Sequence, residues 1–267
     1  MAETDALFSS AIASGYDRYL RPLLFEPYAE DLAGRAAALQ PSKILETAAG
    51  TGVVTAALYD ALPGAAIVAT DLNPAMLAVA SGRFGSERVE FLQADAQDLP
   101  FGEACFDLVV CQFGVMFFPD RVRAYREAKR VLRPGGTFLF NAWGSLAEND
   151  VSRIVADAAA AFIGGEARSF VERVPFGYHD KGQVEADLRA AGFDEIAWEK
   201  VDKRSRAPGS RETAAGLCLG SPLRHEIETN APGRMDELID AIELELAPYV
   251  RDGQLDAPMS ANVFTAR

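Results

Sequence analysis

The segment that joins the first predicted strand to the next helix is Ile44-Leu45-Glu46-Thr47-Ala48-Ala49-Gly50-Thr51-Gly52. Gly50 and Gly52 permit a tight turn and let a ligand approach the backbone closely. Free amides at the start of the following helix can bind a carboxylate or a phosphate. The segment therefore indicates a nucleotide-type site, although a plain strand–helix turn also explains it.

Strands and helices alternate on both sides of this segment. The predicted strands are 43–46, 65–70, 88–93, 106–111 and 137–143, and the helices between them are 51–62, one that begins at Asn73-Pro74, and 120–132. Five strands separated by helices predict a parallel, doubly wound α/β sheet. Ligands of such sheets bind at the carboxyl ends of the strands, where the strand order reverses.

The rest of the chain has a less regular pattern. Helices are predicted over 6–39 (divided by Pro22 and Pro27), 146–164, 181–191 and most of 210–251, a loop over 165–180, and strands over 193–201 and 259–266. No repeat and no clear linker interrupts this order, so one domain with a helical insertion is favoured.

Two acidic residues follow predicted strands. Asp71 ends the second strand, where an acid receives the ribose hydroxyls of a bound nucleoside. Asp95 ends the third strand, where a carboxylate could accept a hydrogen bond from an adenine amino group. Each acid taken alone is equally explained as a helix cap or a solvated loop residue.

Four segments, taken together and in this order, resemble the class I S-adenosylmethionine-dependent methyltransferases of the ubiquinone/menaquinone-biosynthesis-like branch. The segments are Leu45-Glu46 with Gly50-Thr51-Gly52, then 69–77, then 94–101, then 106–114, and the turn Arg133-Pro134-Gly135-Gly136 follows them. The resemblance covers roughly residues 40–143. Each segment is a weak signal, and their joint order is a strong one.

The resemblance implies a Rossmann-like, mostly parallel sheet of seven strands in the order 3-2-1-4-5-7-6, with helical lid insertions. It implies a single domain over 1–267, with N-terminal helices 1–40, a cofactor-binding core 41–144 and substrate-lid insertions at about 145–180 and 205–255. The cofactor would be S-adenosyl-L-methionine and its product S-adenosyl-L-homocysteine. The reaction would be direct in-line methyl transfer to a small organic acceptor.

The resemblance also implies site residues. Those expected on the cofactor side are Tyr16, Glu46, Thr47, Ala48, Gly50, Thr51, Gly52, Asp71, Leu72, Met76, Asp95, Ala96, Gln97, Gln112 and Phe113. Those expected on the substrate side are Tyr19, Met116, Phe117, Trp143, Tyr178 and His179. His179 is a candidate general base, and a loop histidine on the surface is the simpler explanation.

Ala48 departs from the family pattern, which usually has glycine at this position. Its methyl group narrows the approach to the methionine part of the cofactor. Weakened or altered cofactor binding is one consequence, and a methyltransferase-like protein that binds the cofactor without turnover is an alternative function.

A second alternative is an NAD(P)-dependent reductase. Gly50-Thr51-Gly52-Val53-Val54-Thr55 nearly matches a dinucleotide loop, and Tyr125 and Lys129 match the YxxxK pair of short-chain dehydrogenases. The third glycine of the dinucleotide loop is missing, which counts against this function. A solvated pair four residues apart on a helix is the simpler prediction for Tyr125 and Lys129.

Composition limits the partners. The net charge of −13 disfavours nucleic acid, because a phosphate backbone would be repelled. Cys105, Cys111 and Cys218 form no CxxC pair, so free cysteines and a reducing cytoplasm are expected, with no metal site. No apolar run predicts membrane insertion, and residues 1–20 lack the features of a secretory signal. A monomer or a homodimer is expected.

Overall fold

The computed structural model describes residues 15–84, 87–164 and 168–267. Its strands are β1 (Lys43–Thr47), β2 (Ala66–Asp71), β3 (Val89–Gln93), β4 (Phe106–Gln112), β5 (Leu132–Trp143), β6 (Ile196–Ala207), β7 (Val250–Arg251) and β8 (Gln254–Ala266). Its α-helices are α1 (Glu26–Leu39), α2 (Val53–Ala61), α3 (Pro74–Ser81), α4 (Arg121–Val131), α5 (Asp150–Ile163), α6 (Phe170–Arg173), α7 (Lys181–Ala190), α8 (Ser210–Leu219), α9 (Leu223–Asn230) and α10 (Met235–Leu246). A π-helical segment, Tyr16–Phe25, precedes α1 directly, and short 3-10 helices cover Val115–Phe117, Leu146–Glu148 and Ala247–Tyr249.

The strands form one sheet in the order β3-β2-β1-β4-β5-β8-β6, and β7 pairs only with β8. β1 to β5 are parallel, as predicted. When the two-residue β7 is set aside, the predicted order 3-2-1-4-5-7-6 is confirmed. The strand order reverses between β1 and β4, so their carboxyl ends flank the position at which ligands of such sheets bind.

The C-terminal strands run antiparallel to their neighbours. The backbone N–H of Arg267 donates to Glu195, next to the start of β6, and the guanidinium of Arg204 reaches Asp256 farther along both strands. On the other side of β8, Arg267 contacts Thr137 of β5, and Gly144 donates to Ser260. In the β8–β6 pair and in the β8–β5 pair, the residue numbers rise along one strand as those of the partner strand fall, so the strands of each pair are antiparallel.

By its internal contacts the chain forms two compact units. In the described residues, the sheet unit comprises 28–142, 178–201 and 261–267, and the helical unit comprises 15–27, 143–177 and 202–260. Buried aromatic rings on β5 and β8 build the core of the sheet unit, in which Phe140 stacks on Phe138 and on Phe264. The chain passes between the two units several times. The single domain expected over 1–267 stays a prediction.

Several predicted boundaries are wrong. Pro22 and Pro27 do not divide the N-terminal helix, because the π-helical segment continues into α1 without a break. The wider π turn leaves room for the Pro22 ring, which has no N–H to donate. The first part of the predicted helix 6–39, residues 6–14, lies outside the described residues. The loop predicted over 165–180 contains α6, and its first three residues also lie outside the described residues.

The other differences lengthen strands. β5 begins at Leu132 rather than 137, because a register shift against β4 absorbs Pro134-Gly135-Gly136. β6 and β8 are longer than predicted. The helices of the second insertion, which was expected at about 205–255, therefore begin after Ala207. All three cysteines are free, with Cys111 and Cys218 buried and Cys105 half-buried.

Candidate active site at the carboxyl ends of β1 to β4

The loop after β1 combines three residues with positive φ. They are Ala48 at 53°, Gly50 at 56° and Gly52 at 80°. A Cβ added at Gly52 would lie 3.0 Å from the Ala80 side chain of α3, so Gly52 permits close helix packing. A Cβ added at Gly50 would meet no atom within 4 Å, so the backbone there faces open space. Gly50 is therefore the point at which a ligand can approach the loop.

Asp71 fixes this loop from the end of β2. Its Oδ2 accepts from the Gly50 N–H at 2.8 Å, and its Oδ1 accepts from the Asn73 N–H at 2.8 Å. Burial raises the pKa of Asp71, and these two backbone donors oppose that rise. Each carboxylate oxygen keeps a second lone pair that could accept from a ligand. Leu72, the next residue, is 62% exposed.

Glu46 lies beneath the loop and is fully buried. Its Oε2 accepts from the Thr55 hydroxyl of α2 at 2.6 Å. Burial raises the pKa of Glu46 to about 8, the Thr55 hydrogen bond opposes this rise, and the charge of Asp71 adds to it. Burial therefore favours the protonated form of Glu46. The sequence analysis did not identify Thr55, because a threonine within an apolar helix carries no separate signal.

The residues after β3 form a local network. Asp95 Oδ1 accepts from the Gln97 N–H at 2.8 Å, and the Gln97 Nε2 also contacts the Asp95 carboxylate. The Gln97 Oε1 accepts from the Asp120 N–H at 2.8 Å, next to the start of α4. Gln97 thus connects the end of β3 to α4, while Ala96 beside it is half-buried. Met76, also expected at the cofactor, is buried on α3.

The loop after β4 is held by a residue that the sequence analysis missed. Phe113 has a φ of 48°, and its N–H donates to the Asn141 Oδ1 of β5 at 2.8 Å. Its ring packs edge-on against Tyr28, with 5.2 Å between centroids. Asn141 is fully buried and lies opposite Gln112 in the β4–β5 register. Only the pairing of two strands, which sequence alone does not give, could have identified Asn141.

Asn141→Ala is expected to lower the free energy of unfolding by about 1–3 kcal/mol, because it leaves the buried Phe113 N–H without its acceptor. Ser205→Ala is the control, since it removes a buried side-chain oxygen that has no hydrogen-bond partner among the described residues. Urea denaturation of both variants checks the prediction. An equal loss in the two variants would mean that the hydrogen bond to Phe113 does not hold the loop.

The expected substrate-side residues occupy different surroundings. In the loop after β4, Met116 is buried and Phe117 half-buried. The Tyr178 hydroxyl donates to the Asp187 Oδ2 at 2.7 Å, and the Arg121 guanidinium lies over its ring. His179 is exposed just before α7, in the sheet unit.

Three expected site residues lie in the helical unit. Tyr16 stacks on Phe25, with 4.9 Å between centroids. Trp143 is buried between Phe25 and Phe176. The half-buried Tyr19 packs on Gly216. A Cβ added at Gly216 would lie 2.5 Å from the Tyr19 Cβ, so a larger residue would collide there. The assignment of these three residues to a cofactor or substrate site stays a prediction.

Tyr125 and Lys129 do not form the solvated pair that was predicted. Tyr125 is fully buried against Phe138 and Phe140, and its hydroxyl contacts Tyr178 at 3.3 Å. Lys129 lies over the Phe193 ring. The burial of Tyr125 against the sheet and the contact of the half-buried Lys129 with Phe193 explain their spacing on α4 and remove the support that YxxxK gave to a reductase.

Within 15–84, 87–164 and 168–267, no group of three His, Cys, Asp or Glu side chains could hold a metal ion. None of the helices in those ranges is long and apolar enough to cross a membrane.

A glycine loop after β1 that is tied to an acid at the end of β2, on a sheet of this order, is typical of nucleotide-type cofactor sites of the Rossmann-like class. Residues 45–140 match the family model for a methyltransferase domain. Over this segment the chain is similar to the class I S-adenosylmethionine-dependent methyltransferases. The matched segment lies entirely within the sheet unit.

The curated relatives match about half of this chain rather than all of it. The demethylmenaquinone methyltransferase of Thermus thermophilus is 40% identical over 135 residues, which cover 48% of this chain and 60% of the relative. The matches to four such curated relatives span 53% to 66% of the relatives' own length.

Solved structures show the fold over most of the chain. The [4+2]-cyclase SpnF has a TM-score of 0.58 at 19% identity, covering 91% of this chain and 80% of its own. Phosphoethanolamine N-methyltransferase 2 of Haemonchus contortus, solved with S-adenosylhomocysteine, has a TM-score of 0.53 at 18% identity, covering 97% and 60%. A cyclase among them means that the fold alone does not decide the reaction.

Proposed function

We propose that the chain transfers a methyl group from S-adenosylmethionine to a small organic acceptor by direct in-line displacement. The observation that carries this proposal is the Asp71 carboxylate bound to the Gly50 amide, at a loop whose backbone faces open space, in the segment that matches a methyltransferase domain. The residues present fit such a cofactor. The buried Thr51 hydroxyl has no hydrogen-bond partner among the described residues, and no side chain caps the start of α2.

Asp71 would accept from the ribose hydroxyls, the loop from Thr47 to Gly52 would hold the methionine part, and the residues after β2 and β3 would surround the adenine. When bound, S-adenosylmethionine supplies a methyl group that its sulfonium has already activated. The protein's own contribution is orientation, worth up to about 7–11 kcal/mol in favourable cases. No covalent intermediate on a side chain is required. The exposed His179 is a proposed base only for an acceptor that still carries its proton.

The segment that matches the family model does not fix the acceptor in this proposal. The lid insertions expected at about 145–180 and 205–255 lie outside the segment that matches the family model. The name of the demethylmenaquinone methyltransferases therefore supports a small acceptor without fixing its identity. The aromatic and apolar residues of these insertions support an organic molecule, and the charge of −13 disfavours nucleic acid.

Turnover tests this proposal. The protein is incubated with methyl-deuterated S-adenosylmethionine and a mixture of small cellular metabolites, and mass spectrometry follows S-adenosylhomocysteine and labelled products. We expect one product to carry the label, and the Asp71→Ala variant to form far less of it. Tight S-adenosylhomocysteine binding without a labelled product from any fraction would favour the alternative, a protein that binds the cofactor without turnover.

A further inference from the structure

Ala48 adopts a backbone conformation that favours glycine. Its φ of 53° lies in the left-handed region, which costs an L-residue roughly 1–2 kcal/mol. Related sequences avoid this cost by having glycine here, as the resemblance implies. A side chain kept at such a position needs a compensating contact.

The contact of the Ala48 methyl is with the loop after β4. A Cβ added at Gly114 would lie 2.5 Å from the Ala48 Cβ, a distance that real atoms do not reach. Gly114 is buried, and the 3-10 helix Val115–Phe117 begins directly after it. The Ala48 methyl therefore fills the volume that a side chain at 114 would occupy.

The same loop is fixed from its other side. Asn141 accepts from the Phe113 N–H, one residue before Gly114. Cys111 also faces Gly114, since an added Cβ would lie 2.7 Å from its Sγ. The thiol can rotate away, whereas the Ala48 Cβ is attached to the backbone of the glycine loop and cannot. Ala48 is thus the rigid contact between the two loops.

We propose that Ala48 is a positioning residue, whose methyl group holds the loop Phe113–Phe117 against the glycine loop so that the two loops keep one relative position. The glycine loop lies on the proposed cofactor side, and the loop after β4 carries Met116 and Phe117 of the proposed substrate side, so this role rests on the proposed function. Ala48 and Gly114 are a matched pair in this chain: a side chain at one position requires glycine at the other.

The test is a double-mutant cycle in a Cys111→Ala background, which removes the second collision. Four proteins are compared: Cys111→Ala alone, and the same protein with Ala48→Gly, with Gly114→Ala, or with both. Urea denaturation gives their stability, calorimetry gives the Kd for S-adenosylhomocysteine, and hydrogen exchange gives the protection of amides 113–117.

Gly114→Ala is expected to lower stability and to raise the Kd by about 10-fold or more, and adding Ala48→Gly to restore the Kd to within about 3-fold. Ala48→Gly alone is expected to speed exchange of amides 113–117, because loss of the methyl removes the contact that holds this loop against the glycine loop. If the Gly114→Ala protein does not fold, folding of the variant with both changes supports the pairing.

Absence of rescue by Ala48→Gly, or unchanged exchange of amides 113–117 in the Ala48→Gly protein, would overturn the role of Ala48. The stability and exchange measurements need no cofactor. If the Cys111→Ala reference protein fails to bind S-adenosylhomocysteine while exchange responds to Ala48→Gly, the proposed function fails and the contact between the loops stands.

Discussion

Asp71→Ala is expected to raise the Kd for S-adenosylhomocysteine by about 100-fold. The carboxylate has two tasks in the proposed complex: it accepts from Gly50 and Asn73 to fix the loop, and it would accept from the ribose hydroxyls. Hydrogen bonds to a charged group contribute about 1.5–3 kcal/mol each, and about 1.4 kcal/mol corresponds to a tenfold change in Kd. Calorimetry on the folded variant measures the effect.

Asp95→Asn is the matched control for Asp71→Ala. Asp95 accepts from the backbone and side chain of Gln97, and the amide oxygen of asparagine keeps one of these contacts. We expect a Kd within about 5-fold of that of the parent protein, since asparagine keeps one acceptor oxygen and the change weakens at most one hydrogen bond. An unchanged Kd in a folded Asp71→Ala protein would show that the ribose contact is wrongly assigned.

The stability of the unliganded protein is expected to fall as the pH rises from 4.5 through about 8, because Glu46 loses its proton more easily in the unfolded chain than in its buried folded position. The pKa of Glu46 is raised from 4.5 to about 8 on folding, so the folded state binds more protons than the unfolded state between these values. Stability from this group is therefore complete below pH 4.5 and is lost as the pH rises through about 8. The loss is on the order of a few kcal/mol.

Glu46→Gln separates this group from all others that titrate. Glutamine has nearly the shape of the protonated acid and can accept from Thr55. The variant is expected to match the parent protein at about pH 4 and to exceed it in stability by a margin that grows up to about pH 8, as urea denaturation at several pH values would measure. Glu90→Gln on β3 is the surface control, because Glu90 is exposed. Identical pH profiles of the parent and Glu46→Gln proteins would contradict the buried, protonated state.

Local patterns predicted the sheet unit well. The apolar strands β1, β2 and β4 end at Glu46-Thr47, Asp71 and Gln112, and short-range signals such as Gly50-Thr51-Gly52 and Asn73-Pro74 mark the turns. Asn73 does cap α3, accepting from Ala75. Such signals act between neighbours in sequence, so they can be recognised without the fold.

Contacts between residues that are distant in the sequence were missed. Asn141 acts on Phe113 across a strand pair, and the Ala48 methyl meets Gly114, 66 residues later in the chain. The same reason explains the length of β5, because its pairing with β4 absorbs a Pro-Gly-Gly turn that locally predicts a break. Tyr125 was expected in solvent, and tertiary burial against the sheet decided otherwise.

The central claim is that this site binds the S-adenosyl cofactor. Calorimetry of the full chain with S-adenosylhomocysteine, S-adenosylmethionine and NADH, at one pH and one salt concentration, tests it most directly. We expect saturable binding of both S-adenosyl compounds, binding weakened by about 100-fold in Asp71→Ala, and no heat of binding from NADH. Binding of NADH with no response to S-adenosylhomocysteine would contradict the account.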